Sequence, residues 1–410
     1  MPSVSLRVAE VVSALSQALD LGSGSTRWHS VRTCILGMRI ATELRLTDAV
    51  QNELYYALLL KDVGWTNSSP LEAGLRLASQ QERHTRKSIA LRCEKGGILA
   101  RLMGLPEQTA IGIGALYEHW NGYGNPAGLK GEHIPITSRI MLLAQTLDVL
   151  FTSAGPDAAI AAIAQRNRRW FDPDTVKAAR SLAARKQLWT DLSGDNLPRV
   201  ALQMEPGQKT MTQGQVTFDA ICRAFAAIVD AKSPFTYNHS TGVANTSVAM
   251  AKKLDLANSR ILFIRHAALL HDLGKMAVPN TILQKPGKLN EAEWRLVRSH
   301  PEHTWRILHS IRGFEEMSEV AASHHERLDG SGYFRGLTAP QLSLEARIVA
   351  VADIFDALSA KRPYRDAVPL EKVFTIIRKE SAHAFDRTCI EALEQSVTNC
   401  NQTFAASSLI

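Results

Sequence analysis

The sequence predicts an all-α protein made of two similar helical bundles in tandem. Apolar residues recur at helical spacing, as Val8, Val11 and Leu15 do near the start, and no long stretch alternates strictly between apolar and polar residues. Blocks of the second half repeat blocks of the first half at a nearly constant distance. The chain has 410 residues, which is enough for each half to bury a core of its own.

The segment 196–214 separates the two halves. The surrounding stretch 190–215 mixes Gly, Pro, Asp, Ser and Gln with little periodicity, which is typical of a linker. An apolar helical stripe over 216–229 follows it. We therefore predict a first domain over 1–195, a linker over 196–214 and a second domain over 215–410.

The strongest motif is His271-Asp272-Leu273-Gly274-Lys275, which closes the apolar helix predicted over 261–270. An imidazole and a carboxylate at a buried helix end can share a metal site, and Lys275 offers a cation suited to a phosphate oxygen. Gly274 is expected to end the helix. A buried His-Asp pair that only stabilises the fold is the alternative interpretation.

Further imidazoles and a carboxylate lie downstream and upstream of this motif. They are His239, His300, His324, His325 and Asp353, on or beside apolar helical segments. Unpaired polar groups would be costly in such surroundings, so metal coordination accounts for all of them together. A capping box beginning at Asn290 is expected to start the helix that presents His300, and Asp353 is expected to end an apolar helix.

At this point the second half resembles the HD-GYP phosphodiesterases of the HD metal-dependent phosphohydrolase superfamily. The resemblance covers about 215–385 and rests on HDxGK at 271–275, HHExxDGxGY at 324–333 and the helix at 347–353, in that order. It implies HD-type bundles and hydrolysis of cyclic di-GMP to pGpG, GMP or both. Iron or manganese ions are the implied cofactors.

The resemblance also implies the roles of individual residues. The implied metal ligands are His239, His271, Asp272, His300, His324, His325 and Asp353. Asp272 would bridge the metals, and Lys275 would touch the scissile phosphate. The implied substrate contacts are Lys275, Tyr333, Arg362 and Arg365.

Two positions depart from the family pattern. Phe334 stands where the signature has Pro, so the loop loses a φ restraint, and we expect a retuned substrate pocket. Phe235 stands where family members with three metals carry Glu, and its side chain cannot coordinate. Two divalent ions are therefore expected.

The first half aligns with the second at a nearly constant offset but lacks most of the ligands. His29 and Asp62 persist, whereas Lys61, Arg92, Leu116, Tyr117 and Gln145 replace ligands, and Trp65 replaces Lys275. We therefore predict a degenerate copy that serves packing, dimerisation or sensing, including a homodimer through this domain.

Charge and composition narrow the function further. A net charge of +7 suits an anionic ligand, but the basic residues are scattered and no nucleic-acid-binding motif is present. The sequence contains no apolar run long enough for a membrane span and no signal-peptide pattern at its start. Five cysteines without a CxxC pair fit a reduced, cytoplasmic protein.

Three functions remain open at this stage. Hydrolysis of cyclic di-GMP is favoured, with a diguanylate cyclase as an expected partner. Phe334 keeps open a different cyclic dinucleotide, such as cyclic GMP-AMP. The third alternative is a non-catalytic nucleotide-sensing scaffold, which suits the first half better than the second.

Overall fold

The computed structural model describes residues 7–23, 25–64, 82–194, 196–207, 218–232, 238–359, 367–380 and 383–407. The chain divides into two compact units, Met1–Ile221 and Cys222–Ile410. Within the described ranges the regular structure is helical, with two isolated β-bridges and no β-strand. The all-α prediction is confirmed.

The first half forms its core from helices whose apolar faces turn inward. Val11, Leu15 and Leu19 of the first helix are fully or almost fully buried, as their spacing predicted. The helices are α1 (Val8–Ser23), α2 (His29–Glu43), α3 (Asp48–Leu60), α4 (Glu82–Leu102), α5 (Glu107–Gly114), α6 (Ile136–Ala154), α7 (Pro156–Gln165), α8 (Pro173–Ala184) and α9 (Leu197–Gln203).

The second half repeats this arrangement of helices. The helices are α10 (Phe218–Asp230), α11 (His239–Lys253), α12 (Asn258–Leu270), α13 (Asn280–Leu283), α14 (Glu291–Arg298), α15 (His300–His309), α16 (Glu315–Ala322), α17 (Leu344–Ser359), α18 (Leu370–Glu380) and α19 (Arg387–Ser407). Helices α2 and α3 begin and end at the positions that align with the ends of α11 and α12. The internal repeat is therefore a repeat of structure.

Part of the segment predicted as a linker is folded onto the first unit. Helix α9 packs against α1 and α2 and buries Leu197 and Ala201. Glu205, just after it, accepts a hydrogen bond from Tyr56 at 2.7 Å. Apolar contacts at only two positions gave too weak a period to be recognised in the sequence. The domain bounds stay a prediction.

Gly274 has a different role from the predicted helix end. Helix α12 ends at Leu270, and a 3₁₀ helix, Leu273–Ala277, includes Gly274. A Cβ atom at Gly274 would meet the backbone oxygen of His300 on α15. Glycine is required here because the 3₁₀ helix and α15 approach each other closely.

Two further helix boundaries differ from expectation. The capping box of Asn290 and Glu293 is present, but it starts α14, which ends at Arg298, and His300 begins the next helix. Helix α17 continues past Asp353 to Ser359, so this carboxylate projects from mid-helix.

In the described part of the chain, no helix has the length and apolar character needed to cross a membrane.

Candidate metal centre

The predicted ligands come together in the second unit from five parts of the fold. His239 is the first residue of α11, and His300 is the first residue of α15. His271 and Asp272 follow the last turn of α12. His324 and His325 lie in the turn after α16, and Asp353 projects from α17. Six of the seven residues are buried, and His325 is half-buried.

Asp272 lies at the centre of this cluster, and its two oxygens face different imidazoles. Oδ2 lies 3.3 Å from Nε2 of His271 and 3.6 Å from Nε2 of His239. Oδ1 lies 3.3 Å from Nε2 of His300 and 3.7 Å from Nε2 of His324. A carboxylate placed in this way can bind one cation through each oxygen.

Asp353 also divides its oxygens between neighbours. Oδ1 lies 3.1 Å from Nε2 of His239, and Oδ2 lies 3.7 Å from Nδ1 of His325. Three groups of side chains each present ligand atoms within 4.8 Å of one another: His239, His271 and Asp353; His271, Asp272 and His324; and His300, His324 and His325. The groups share members, so they form one continuous cluster.

The backbone orients three of the imidazoles toward the centre. In each of them Nδ1 lies close to a backbone oxygen three residues earlier. The distance is 2.7 Å from His271 to Ala268, 2.7 Å from His300 to Val297 and 2.8 Å from His324 to Ala321. A carbonyl oxygen can only accept, so Nδ1 carries the proton and a neutral ring presents a lone pair at Nε2. Nε2 of His300 and Nε2 of His324 lie only 3.0 Å apart.

This arrangement fits a cation, because acceptors converge on acceptors. Nε2 of His271 and Oδ1 of Asp272 are buried, and neither atom has a hydrogen-bond partner among the residues that the structure describes. Burial opposes a charge on His239, yet its hydrogen bonds to Asp353 and Asp356 raise its pKa to about 10. The carboxylates therefore attract positive charge, which either protons or metal ions can supply. Burial lowers the pKa of His325 to about 3, which keeps this ring neutral and able to ligate.

A cavity of about 430 Å³ opens beside the cluster. His239, His324, His325 and Asp353 form one part of its wall, and Lys275, Arg298, Arg327 and Tyr333 form another. The Lys275 ammonium pairs with Oδ2 of Asp272. Cations thus line a space next to the ligand cluster, as an anionic ligand requires.

Four residues singled out from the sequence lie outside the described residues: Trp65, Phe235, Arg362 and Arg365. The Tyr333 ring packs against the His325 ring, with ring centroids 4.7 Å apart and the two planes tilted by 33°. Phe334 has φ of 98°, a conformation that proline cannot adopt. Its ring lies near Trp305 and Arg335, and it is not among the described residues that line the cavity. Phe334 therefore does not act on the pocket through direct contact, and the expected effect of this residue on the pocket is indirect.

Sequence reasoning missed residues that hold the ligands in place. Asp356 binds Nδ1 of His239 through Oδ2 at 2.6 Å. The Thr304 hydroxyl donates to the His271 carbonyl and accepts from the Gly274 amide, both at 2.9 Å. The repeat carried a signal for Asp356, because Asp148 stands at the aligned position of the first copy and binds His29 in the same way at 2.6 Å.

The equivalent place in the first unit contains cations of the chain itself. Lys61, at the position of His271, pairs with Asp62 and is almost completely buried. Arg32 Nε donates to Oδ1 of Asp148 at 2.5 Å. Lys and Arg therefore neutralise carboxylates here, and the groups with metal-ligating geometry among the described residues lie in the second unit.

Comparison with known proteins agrees with this geometry. The family model described as HD domain matches residues 14–175 and 223–389. The chain is 35% identical to 3'3'-cGAMP-specific phosphodiesterase 3 of Vibrio cholerae, over 95% of this chain and 94% of that protein. It is 41% identical to the cyclic di-GMP phosphodiesterase response regulator RpfG of Xanthomonas campestris, over 35% and 39%. A crystal structure of a cyclic GMP-AMP specific phosphodiesterase of V. cholerae (V-cGAP3) matches with a TM-score of 0.71 at 35% identity, covering 96% of this chain and 98% of that one.

Proposed function

Because this chain belongs to the HD-domain family, we propose that its second unit is a metal-dependent phosphodiesterase that hydrolyses cyclic dinucleotides. The observation that carries the proposal is the central position of Asp272, with imidazoles facing each oxygen, beside a cavity lined by cations. A volume of about 430 Å³ lies within the range of small-molecule sites.

The seven residues His239, His271, Asp272, His300, His324, His325 and Asp353 are the ligands we propose. We propose that these residues hold two divalent ions, with iron or manganese as the metal. Such ions, when bound, would lower the pKa of a water molecule and neutralise charge on a phosphoryl oxygen.

The chain's own residues supply binding and orientation. The Lys275 ammonium, now paired with Asp272, lies close enough to the cluster to donate to a phosphoryl oxygen as charge develops there. The guanidinium of Arg298 and the ring of Tyr333 in the cavity wall provide contacts for phosphates and bases. Arg362 and Arg365 remain proposed substrate contacts on the strength of the family motif.

We propose 3'3'-cGAMP as the preferred substrate. The relative named for this activity is similar over almost the whole of both chains, including both copies of the repeat. Cyclic di-GMP is the second candidate, because the match to RpfG falls within a protein named for that substrate. The homodimer and a diguanylate cyclase as partner stay predictions.

A substrate panel tests the proposal. Full-length protein loaded anaerobically with Fe²⁺ or Mn²⁺ is assayed with 3'3'-cGAMP, cyclic di-GMP and cyclic di-AMP, and the products are separated by chromatography. We expect the highest kcat/KM for 3'3'-cGAMP. Asp353→Ala should abolish turnover and metal retention, whereas Gln145→Ala, the matched change at the aligned position of the first copy, should leave both intact. Turnover in Asp353→Ala, or none in any loaded wild-type sample, would refute the proposed function.

A further inference from the structure

A buried lysine outside the ligand set holds the backbone that carries Lys275. Lys232 follows the end of α10 and is 3% exposed. Its Nζ donates to the carbonyl oxygens of Lys275 at 3.0 Å, Met276 at 2.5 Å and Val278 at 2.7 Å. An ammonium has three N–H groups, so these three carbonyls use all of them.

These carbonyls belong to the segment that follows Asp272. The 3₁₀ helix Leu273–Ala277 ends there; the Lys275 oxygen also accepts from the Val278 amide at 3.1 Å, whereas helix ends in general leave backbone oxygens without partners within the helix. Met276 and Val278 are buried, so the oxygens must be satisfied by the protein. Lys232 donates to them from the turn after α10, and Gln284 Nε2 in turn donates to the Lys232 carbonyl at 3.1 Å.

The two copies of the internal repeat show whether Lys232 is needed for the fold that they share or only for the site in the second copy. Shortly before it, Asp230 accepts from Ser240, and Asp20 accepts from Ser30 in the same way in the first unit. That contact is kept in both copies. The position of Lys232, however, is Gly22 in the first copy.

The first copy lacks a lysine at the position of Lys232, and it also lacks the residues proposed for metal binding and catalysis. Trp65 stands there at the position of Lys275, and Lys61 at that of His271. A residue needed only for folding would be expected in both bundles, as the Asp–Ser contact is. Lys232 instead occurs together with the residues that the proposed reaction uses.

We propose that Lys232 is a positioning residue that fixes the backbone of Lys275 and thereby places its ammonium beside Asp272. This inference rests on the proposed function. Lys232 acts through Lys275 and does not itself touch substrate. A displacement of about 1 Å in such a group can cost on the order of 10²-fold in rate, so the backbone contact has a measurable consequence.

A double-mutant cycle in the full-length chain tests this inference. Lys232→Met, which keeps the length of the side chain and removes its charge, should lower kcat at least about tenfold with KM and metal content little changed. In the Lys275→Ala background the same change should lower kcat by less than about twofold, because the group it positions is gone. Lys253→Met, at the exposed end of α11, is the control and should behave as wild type.

Hydrogen–deuterium exchange gives a readout that does not depend on activity. Amides in residues 276–284 should exchange faster in Lys232→Met than in wild type, while those of α11 stay unchanged. If Lys232→Met does not fold, Lys232→Arg replaces it, because a planar guanidinium cannot donate to the same three carbonyls from one point.

The outcomes separate this inference from the proposed function. Unchanged exchange at 276–284, or a loss in kcat that multiplies with that of Lys275→Ala, would overturn the role of Lys232 even in an active enzyme. If the wild type hydrolyses no cyclic dinucleotide, the proposed function fails, and the exchange measurement alone decides whether Lys232 holds the segment.

Discussion

Replacing Gly274 by alanine should disrupt the candidate metal centre through the backbone alone. Gly274 lies between Asp272 and the helix that begins with His300. A Cβ atom built at Gly274 lies 1.9 Å from the His300 oxygen and 2.6 Å from the Thr304 amide nitrogen. Both neighbours are backbone atoms, so no side-chain rotation can relieve the contact.

The required displacement follows from these distances. Real Cβ atoms essentially never approach closer than 3.0 Å, so the 3₁₀ helix and α15 must separate by at least about 1.1 Å. Metal–ligand distances tolerate only about 0.2 Å. His300 cannot easily compensate, because its Nδ1 is held by the Val297 oxygen at 2.7 Å. We therefore expect loss of metal affinity in addition to about 1–3 kcal/mol of destabilisation from overpacking.

The first copy provides a matched control. Gly64 stands at the position of Gly274, and its Cβ would lie 2.1 Å from the Arg92 oxygen. Gly64→Ala should therefore destabilise the first unit by a similar amount while metal binding and turnover in the second unit persist. Metal content after dialysis, kcat and thermal unfolding are measured for both variants.

Two results would refute this reasoning. If Gly274→Ala keeps wild-type metal content and kcat, the close approach does not control the position of His300. If Gly64→Ala removes metal as effectively as Gly274→Ala, the effect is general destabilisation. A loss confined to Gly274→Ala supports the geometry.

Three further predictions concern the surroundings of the ligands. Lys275→Ala should retain metal and lower kcat about 10²–10³-fold, whereas Arg362→Ala should mainly raise KM; steady-state kinetics with the opposite pattern would exchange their roles. Asp356→Ala should weaken metal binding about 10–100-fold in a metal titration because His239 loses its partner, and Asp148→Ala, the same change in the first unit, should not. Phe334→Pro should lower the free energy of unfolding by more than about 1 kcal/mol in urea titrations because φ is 98°, while Phe334→Gly is tolerated; a stable Pro variant contradicts this φ.

Much of this protein follows from the sequence alone. The nearly constant offset that aligns His29 with His239 identified the duplication, and helices α2 and α11 begin at those two residues. The residue types at the motif positions indicated metal coordination, because unpaired imidazole and carboxylate side chains on apolar helices would be costly, and the resemblance to the HD-GYP family implied phosphodiester hydrolysis. Substitutions such as Lys61 for His271 indicated which copy had lost that chemistry. Spacing within one helix and the type of each side chain are local properties, so the sequence displays them directly.

Tertiary structure decided how those residues act together. That the two oxygens of Asp272 face different imidazoles depends on packing among helices distant in sequence. Gly274 serves close approach instead of ending a helix for the same reason. The contact of Lys232 with the backbone of Lys275 and Met276 joins positions that are far apart in the chain. A single lysine forms no recognisable motif, so the sequence alone did not indicate this contact. Periodicity specifies which face of a helix is buried, but the partner that covers that face, and the distance between their atoms, are set only when the helices pack.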